Sequence, residues 1–272
     1  MTHYTDVVTA LESLAPLQLA GDWDNVGLLV EPLSPRDVRR VFLTIDLTEA
    51  VLAEAQERDA DFIVAYHPVI FGGLSRLDAS VPLTRVVLRC VESGIPVYSP
   101  HTALDAAPGG MADWLLDGLG PTIFRRAIAP NDAYAGDVNA RAAGAGRLGE
   151  LAQPEPLTEL VRRLKAWLDL EVVRVAAPEE HAAGLPLKEV AVCPGAGGSL
   201  FEGLRDVEVL VTGEMRHHDV LARVAEGVSV ILTDHTNCER GYLSVLAGRL
   251  AAELEGVDVV VSERDRDPLR PL

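Results

Sequence analysis

RVFLTIDLTEAVLAEAQERDADFIVAYHP, residues 40–68, contains the clearest indication of the fold. It begins with a continuous apolar run over residues 40–46, which predicts a buried strand. Thr48 can cap a helix over residues 49–58, and a second apolar run over residues 62–66 predicts another strand. Two buried strands joined by a helix are typical of parallel neighbours in one sheet.

The pattern of strands and helices continues outward from this stretch. Pro82 begins a predicted helix that Gly94 ends, and a strand follows over residues 96–98. The second half repeats the alternation, with strands predicted at 190–193, 207–211, 228–232 and 257–261, and helices at 216–226 and 243–254. We interpret residues 121–149, rich in Ala, Gly, Pro and Asp, as an irregular passage between two lobes.

Composition limits the classes of function. The 272 residues include 41 Asp and Glu against 24 Lys and Arg, a formal charge of −17, which repels phosphate backbones and makes nucleic acid an unlikely partner. Three widely spaced cysteines predict no disulfide framework and a reducing compartment. The first residues lack the features of a signal peptide, and no apolar run is long enough to span a bilayer. We therefore expect a cytoplasmic protein that does not contact membranes.

Metal-ligand side chains follow three of the predicted strands. His67 comes after the strand at 62–66, His101 and Asp105 after the strand at 96–98, and His235 and Glu239 after the strand at 228–232. Ligands of open parallel sheets collect at the carboxyl ends of the strands. Mixed imidazole and carboxylate donors suit Zn, Mn or Fe. The sequence therefore predicts one assembled metal site.

Each of these residues also has a structural explanation. His67 could be an ordinary turn residue, Asp105 could cap a helix, and Glu239 could favour the first turn of a helix. All three explanations would have to coincide at strand ends, which favours the metal site. Pro194-Gly-Ala-Gly-Gly198 could cradle a phosphate, but a tight turn between strand and helix is favoured because the loop lacks a Walker ending.

Five motifs resemble those of the Nif-three-like (NGG-interacting factor three-like) family, many of whose bacterial members are named GTP cyclohydrolase I type 2 homologues. They are Trp23-Asp-Asn-Val-Gly-Leu28, Tyr66-His-Pro-Val-Ile-Phe71, Tyr98-Ser-Pro-His-Thr-Ala-Leu-Asp-Ala-Ala-Pro-Gly-Gly110, Thr212-Gly-Glu-Met-Arg-His-His-Asp219 and His235-Thr-Asn-Cys-Glu-Arg-Gly-Tyr-Leu243. The resemblance extends over residues 23–243.

The resemblance implies an α/β protein of two similar α/β/α lobes with mainly parallel sheets and a dinuclear metal site in the cleft between the lobes. We expect the lobes at residues 1–120 and 121–272, without the inserted middle domain of some family members. The resemblance also implies a homohexamer built as a trimer of dimers.

Site residues carry over position by position. His67 and Asp105 would hold one divalent ion, His235 the other, and Glu239 would bridge the two ions, which would be Zn, Mn or Fe. His101 matches a cleft histidine that could act as acid and base or as a supplementary ligand. Tyr66 departs from the commoner bacterial pattern, in which a histidine binds the second ion, so we expect that ion to be weakly held. Trp23, Asp24 and Asn25 could organise the cleft wall, but a structural turn is the favoured interpretation of this motif. His218 matches a family histidine that could support the ligands, and a solvated histidine at a helix end explains it equally well.

The function implied is that of a metal-dependent hydrolase, either a GTP cyclohydrolase I type 2 homologue or a phosphoesterase-like enzyme. Its partner would be a nucleotide or another phosphoester. The alternative is a non-catalytic, metal-stabilised scaffold or regulatory binding protein, whose metal site would be closed rather than open to water.

Overall fold

The structure, a computed structural model, describes residues 2–34, 36–131 and 143–269. Its strands, in chain order, are β1 (Thr2–His3), β2 (Gly27–Val30), β3 (Asp37–Val38), β4 (Arg40–Thr44), β5 (Phe62–Ala65), β6 (Val97–Ser99), β7 (Thr122–Pro130), β8 (Gly144–Pro156), β9 (Arg174–Ala176), β10 (Pro186–Cys193), β11 (Val209–Thr212), β12 (Ser229–Leu232) and β13 (Asp258–Val261). Its helices are α1 (Tyr4–Leu14), α2 (Glu49–Glu57), α3 (Pro82–Ser93), α4 (His101–Ala106), α5 (Met111–Asp117), α6 (Leu157–Leu168), α7 (Glu179–Ala182), α8 (His217–Ala225) and α9 (Tyr242–Glu253). Within these residues, none of the helices has the length and apolar character that a bilayer crossing requires.

The chain forms two compact units. One comprises Met1–Leu104 and Tyr242–Arg266, and the other comprises Asp105–Gly241 and Asp267–Leu272. The predicted lobes at residues 1–120 and 121–272 differ from these units at residues 105–120 and 242–266. The difference at 242–266 arises because β13 pairs with β4 in the first sheet and α9 packs against these two strands.

The first unit contains a mainly parallel sheet in the order β13-β4-β5-β6-β2, in which only the edge strand β2 is antiparallel to its neighbour. This confirms the strand–helix–strand prediction for residues 40–66. The Thr48 hydroxyl accepts a hydrogen bond from the Val51 N–H and caps α2, and α3 begins at Pro82 and ends before Gly94, which has a φ of 61°. Buried apolar side chains between the sheet and these helices form the core.

The second unit contains a mixed sheet in the order β7-β8-β10-β11-β12-β9. The three strands β10, β11 and β12 are parallel, and the other pairs are antiparallel. The predicted α/β class is therefore confirmed. The prediction of mainly parallel sheets describes the first sheet, whereas three of the five strand pairs in this second sheet are antiparallel. The carboxyl ends of the three parallel strands lead into residues 194–199, 213–216 and 233–239.

The interpretation of residues 121–149 as an irregular passage is wrong at both ends, where β7 and the first part of β8 form paired strands. Residues 132–142 of that stretch lie outside the described part of the chain. β8 gave no strand signal because it is rich in small residues and lacks an apolar pattern of its own. It is stabilised by hydrogen bonds to β7, which precedes it in the chain, and to β10.

Candidate metal centre

His67 follows β5 directly after Tyr66. Its backbone N–H donates to the Ile45 carbonyl (3.0 Å), which continues the pairing of β4 with β5 beyond the last strand residue. Its ring Nδ1 lies 2.9 Å from Oδ1 of Asp46. A carboxylate on Nδ1 fixes the orientation of the ring and makes Nε2 the atom suited to bind a metal.

His101 occupies the first position of α4, with a φ of 30° that is unusual for a residue other than glycine. Its Nδ1 lies 2.7 Å from Oδ1 of Asp24, whose other oxygen accepts hydrogen bonds from the Thr102 N–H (3.2 Å) and hydroxyl (2.5 Å). Burial alone raises the pKa of Asp24, but the hydrogen bonds from His101 and Thr102 outweigh burial and hold that pKa below the usual aspartate value. Asp24 is therefore an anion that orients His101.

Tyr66 is buried, and its carbonyl accepts a hydrogen bond from the Ser99 hydroxyl (2.8 Å). Its ring centroid lies 5.0 Å from that of His67 and 5.5 Å from that of His101. The phenol therefore belongs to the same group of side chains as these two histidines. Its effect on the binding of a second ion stays a prediction.

His235 and Glu239 lie at the carboxyl end of β12. His235 Nε2 is 3.7 Å from Glu239 Oε1, and the carboxylate is almost completely buried, with 1% of the residue exposed. The two residues flank a 3-10 turn over Thr236–Cys238 rather than beginning an α-helix, because α9 starts only at Tyr242. The i, i+4 pair therefore forms through a 3-10 turn, which is wound more tightly than an α-helix.

Glu214 orients His235. Its Oε1 lies 2.5 Å from His235 Nδ1, so His235 repeats the arrangement of His67 with Asp46. Neither carboxylate was predicted from the sequence as a site residue. The signal was present, since Asp46 and Glu214 follow the ends of β4 and β11 just as the predicted ligands follow other strands.

The loop at residues 194–198 passes against His235 and Glu239. Gly195 has a φ of 63°, and its N–H donates to the Cys238 sulfur (3.3 Å). A Cβ added at Gly195 would lie 2.8 Å from Glu239 Oε1 and 3.0 Å from His235 Nε2. Glycine is therefore required by close approach, which favours the tight-turn interpretation of this loop.

Asp105 lies in α4, and its charge affects the pKa of the Cys238 thiol. Burial raises the pKa of the Cys238 thiol, and the charges of Glu239 and Asp105 raise it further. The Cys238 thiol is therefore protonated. Asp105 as a metal ligand stays a prediction.

His218 lies in the first turn of α8, where it is exposed and its ring centroid is 5.5 Å from that of His217. Its predicted support of the metal ligands also stays a prediction.

Among the described residues, His67, His235 and Glu239 form a group whose ligand atoms could hold a metal ion. The donor set fits a transition metal or zinc, since it combines two imidazoles with one carboxylate. The glycine beside Glu239 and His235 keeps space that any larger residue would fill. Asp105 is not a member of this group.

Comparison with known proteins agrees with the motifs. The sequence model described as Duf34/NIF3 (NGG1p interacting factor 3) matches residues 2–268. The protein NIF3 homolog of Schizosaccharomyces pombe is 44% identical over 267 residues, which cover 95% of this chain and 94% of that protein.

Two solved structures share the fold. A Bacillus cereus protein related to NIF3 superposes with a TM-score of 0.82 at 21% identity and covers 99% of both chains. Reduced HcgD from Methanocaldococcus jannaschii superposes with a TM-score of 0.80 at 20% identity, over 95% of this chain and 97% of that one. Sequence motifs, family model and fold agree, and the chain belongs to the Duf34/NIF3 (NGG1p interacting factor 3) family.

Proposed function

We propose that this protein is a metal-dependent hydrolase. His67, Asp105, His235 and Glu239 would hold two divalent ions, Zn, Mn or Fe, and His101 would transfer a proton. The observation that carries the proposal is the pairing of both candidate imidazole ligands with carboxylates through Nδ1, at 2.9 Å for His67 with Asp46 and 2.5 Å for His235 with Glu214. Histidines that bind metals in proteins commonly have such partners.

Glu239 supports the same proposal through its burial. An ionised carboxylate removed from water is costly unless a cation compensates it. His235 lies 3.7 Å away, and it can serve as a partner in the absence of metal or as a fellow ligand in its presence. When bound, divalent ions lower the pKa of coordinated water and polarise the bond under attack.

His101 is suited to proton transfer because its orientation is fixed from one side. The Asp24 carboxylate engages Nδ1, and Nε2 on the opposite edge of the ring is the atom that would exchange a proton with substrate or water. Imidazole can change protonation near neutral pH without a large free-energy cost. Thr102 and Asn25 donate hydrogen bonds to the same carboxylate, so Asp24 would stay anionic while His101 transfers a proton.

The substrate would be a small nucleotide or another phosphoester. A chain with a formal charge of −17 repels such an anion, so bound cations would have to neutralise the charge at the site. The second candidate is a metal-stabilised scaffold or regulatory binding protein. The observation that favours it is the family description itself, which names an interacting factor. The two differ in what metal removal does, since a scaffold loses stability whereas an enzyme loses turnover.

The test is a hydrolysis screen of Zn-, Mn- and Fe-loaded protein against nucleotides and phosphodiesters. We expect turnover in wild type and its loss in Glu239→Ala, with no change in Glu202→Ala, an exposed carboxylate of the same unit. Turnover that survives Glu239→Ala would remove the metal from the mechanism. Absence of turnover in every loaded form, combined with a lower melting temperature on metal removal, would favour the scaffold.

A further inference from the structure

Trp23 and Phe71 surround His101 with exposed aromatic rings. Only 5% of the residues in the chain are Phe, Trp or Tyr, yet Trp23 is 67% exposed and Phe71 is 47% exposed. Their ring centroids lie 6.2 Å from each other and 6.0 and 6.2 Å from the centroid of His101. Exposed apolar side chains that lie together, rather than singly, are typical of ligand-binding grooves and interaction sites.

The three rings form an open corner. The interplanar angles are 90° for Trp23 with Phe71, 84° for Trp23 with His101 and 89° for Phe71 with His101. Edge-to-face packing of this kind fixes each ring against the others. It also leaves the exposed face of the indole available for a ring that stacks parallel to it.

Hydrogen bonds hold the corner in place. The Asn25 side-chain amide donates to the Ile70 carbonyl (2.6 Å), which ties the loop of Trp23 to the loop of Phe71. Asp24, between Trp23 and Asn25, holds His101 and has a fully buried side chain. The Trp-Asp-Asn motif, interpreted from sequence as a structural turn, therefore supplies an aromatic ring, an anchor for His101 and a tether between loops.

Gly21 sets the position of the indole. A Cβ added there would lie 2.9 Å from Trp23 Nε1, so the ring rests directly over the glycine backbone. Substitution of Gly21 would displace the indole without removing any aromatic ring.

The geometry points to a binding subsite for a planar heteroaromatic ring, stacked on Trp23 and bordered by Phe71 and His101. The indole face provides stacking that accepts any flat π-system, and His101 Nε2 provides a hydrogen-bonding group for the polar edge of a heterocycle. This inference rests on the proposed function, since it names the part of the hydrolase substrate that lies beside the proton-transfer histidine.

The test measures binding of AMP, adenosine and ribose 5-phosphate by calorimetry and by quenching of tryptophan fluorescence. We expect AMP and adenosine to bind and ribose 5-phosphate to bind at least tenfold more weakly. Trp23→Ala should lower AMP affinity about five- to hundredfold, the range found when a stacking aromatic is removed. Trp23→Phe should retain affinity within a few-fold but lose the quenching.

Two further variants make the test specific. Trp167→Ala removes another exposed tryptophan, 43% exposed, and should leave AMP affinity unchanged. Gly21→Ala keeps every aromatic ring and should weaken AMP binding by displacing the indole. Equal affinity for AMP and ribose 5-phosphate, or equal effects of Trp23→Ala and Trp167→Ala, would overturn the inference. So would a smaller particle mass in Trp23→Ala with unchanged AMP affinity, because a second copy of the chain would then cover the rings.

Two outcomes distinguish a failure of this inference from a failure of the proposed function. Ring binding that depends on Trp23 and persists without hydrolysis in any metal-loaded form supports the subsite while the hydrolase proposal fails. Hydrolysis of a phosphodiester by wild type without measurable AMP or adenosine binding overturns the subsite and leaves the hydrolase proposal intact.

Discussion

Glu214 contacts the candidate metal ligand His235 without being a predicted ligand itself, so its substitution tests the role of His235. Glu214→Gln keeps the shape of the side chain but weakens the hydrogen bond that orients His235. We expect metal affinity to fall about ten- to hundredfold, as is common when such a partner is altered. Zinc titration by calorimetry measures the change, with the exposed Glu202→Gln as control. Equal affinities in both variants and wild type would contradict the assignment of His235 as a ligand.

Asp24 gives a prediction about pH. Its pKa is lowered in the folded protein from the ordinary value of 3.8, so the anion stabilises the fold at pH values above 3.8. This stabilisation is lost as the pH falls below 3.8 and the folded-state carboxylate becomes protonated. We therefore expect Asp24→Asn to lower the free energy of unfolding at pH 6 and to have a smaller effect at pH 3. Urea unfolding at the two pH values measures both differences, and an equal effect at both would refute the role of the charge.

The loop at residues 194–198 shapes the candidate metal site through Gly195. Gly195→Ala combines a strained φ with contacts of 2.8 and 3.0 Å to the Glu239 and His235 side chains. Gly203→Ala has a φ of 73° and meets no atom within 4 Å, so it shares only the strain. We expect Gly203→Ala to lose about 1–2 kcal/mol in free energy of unfolding, and Gly195→Ala to lose more because the Glu239 and His235 side chains must also move. Only Gly195→Ala should lose zinc affinity, by tenfold or more in calorimetry, and similar affinities would place the metal elsewhere.

Elements with their own local signal could be predicted from the sequence, and elements that depend on distant partners could not. β4, α2 and α3 follow from an apolar run, a capping threonine and a Pro-first, Gly-last helix. β8 contains Arg147, which is fully buried, pairs with Asp113 (3.0 Å) and donates to the Ala107 carbonyl (3.0 Å). A buried arginine in an Ala- and Gly-rich segment reads as a loop, because its partners are contributed by remote parts of the chain.

The same distinction applies to the site and to the sheet that β13 joins. His67, His235 and Glu239 were found because each follows a recognisable strand, and Asp46 and Glu214 could have been found by the same rule. β13 follows the second half in sequence but pairs with β4, with Val260 opposite Phe42. Neither strand indicates its partner, because both are short apolar runs that would fit any parallel sheet.

The formal charge of −17 makes a prediction for the whole molecule, because the proposed homohexamer would bring six such chains together. Repulsion between like charges opposes assembly, and salt screens it, since the Debye length falls from about 30 Å at 0.01 M to about 8 Å at 0.15 M ionic strength. We therefore expect particles of about 175 kDa, six copies of the 29.2 kDa chain, at 0.15 M salt and smaller species at 0.01 M. Light scattering coupled to size exclusion measures the mass at both concentrations. A particle of 29.2 kDa at every salt concentration would exclude the hexamer. A hexamer whose mass is the same at both salt concentrations would show that apolar contacts or bound cations outweigh the repulsion between the chains.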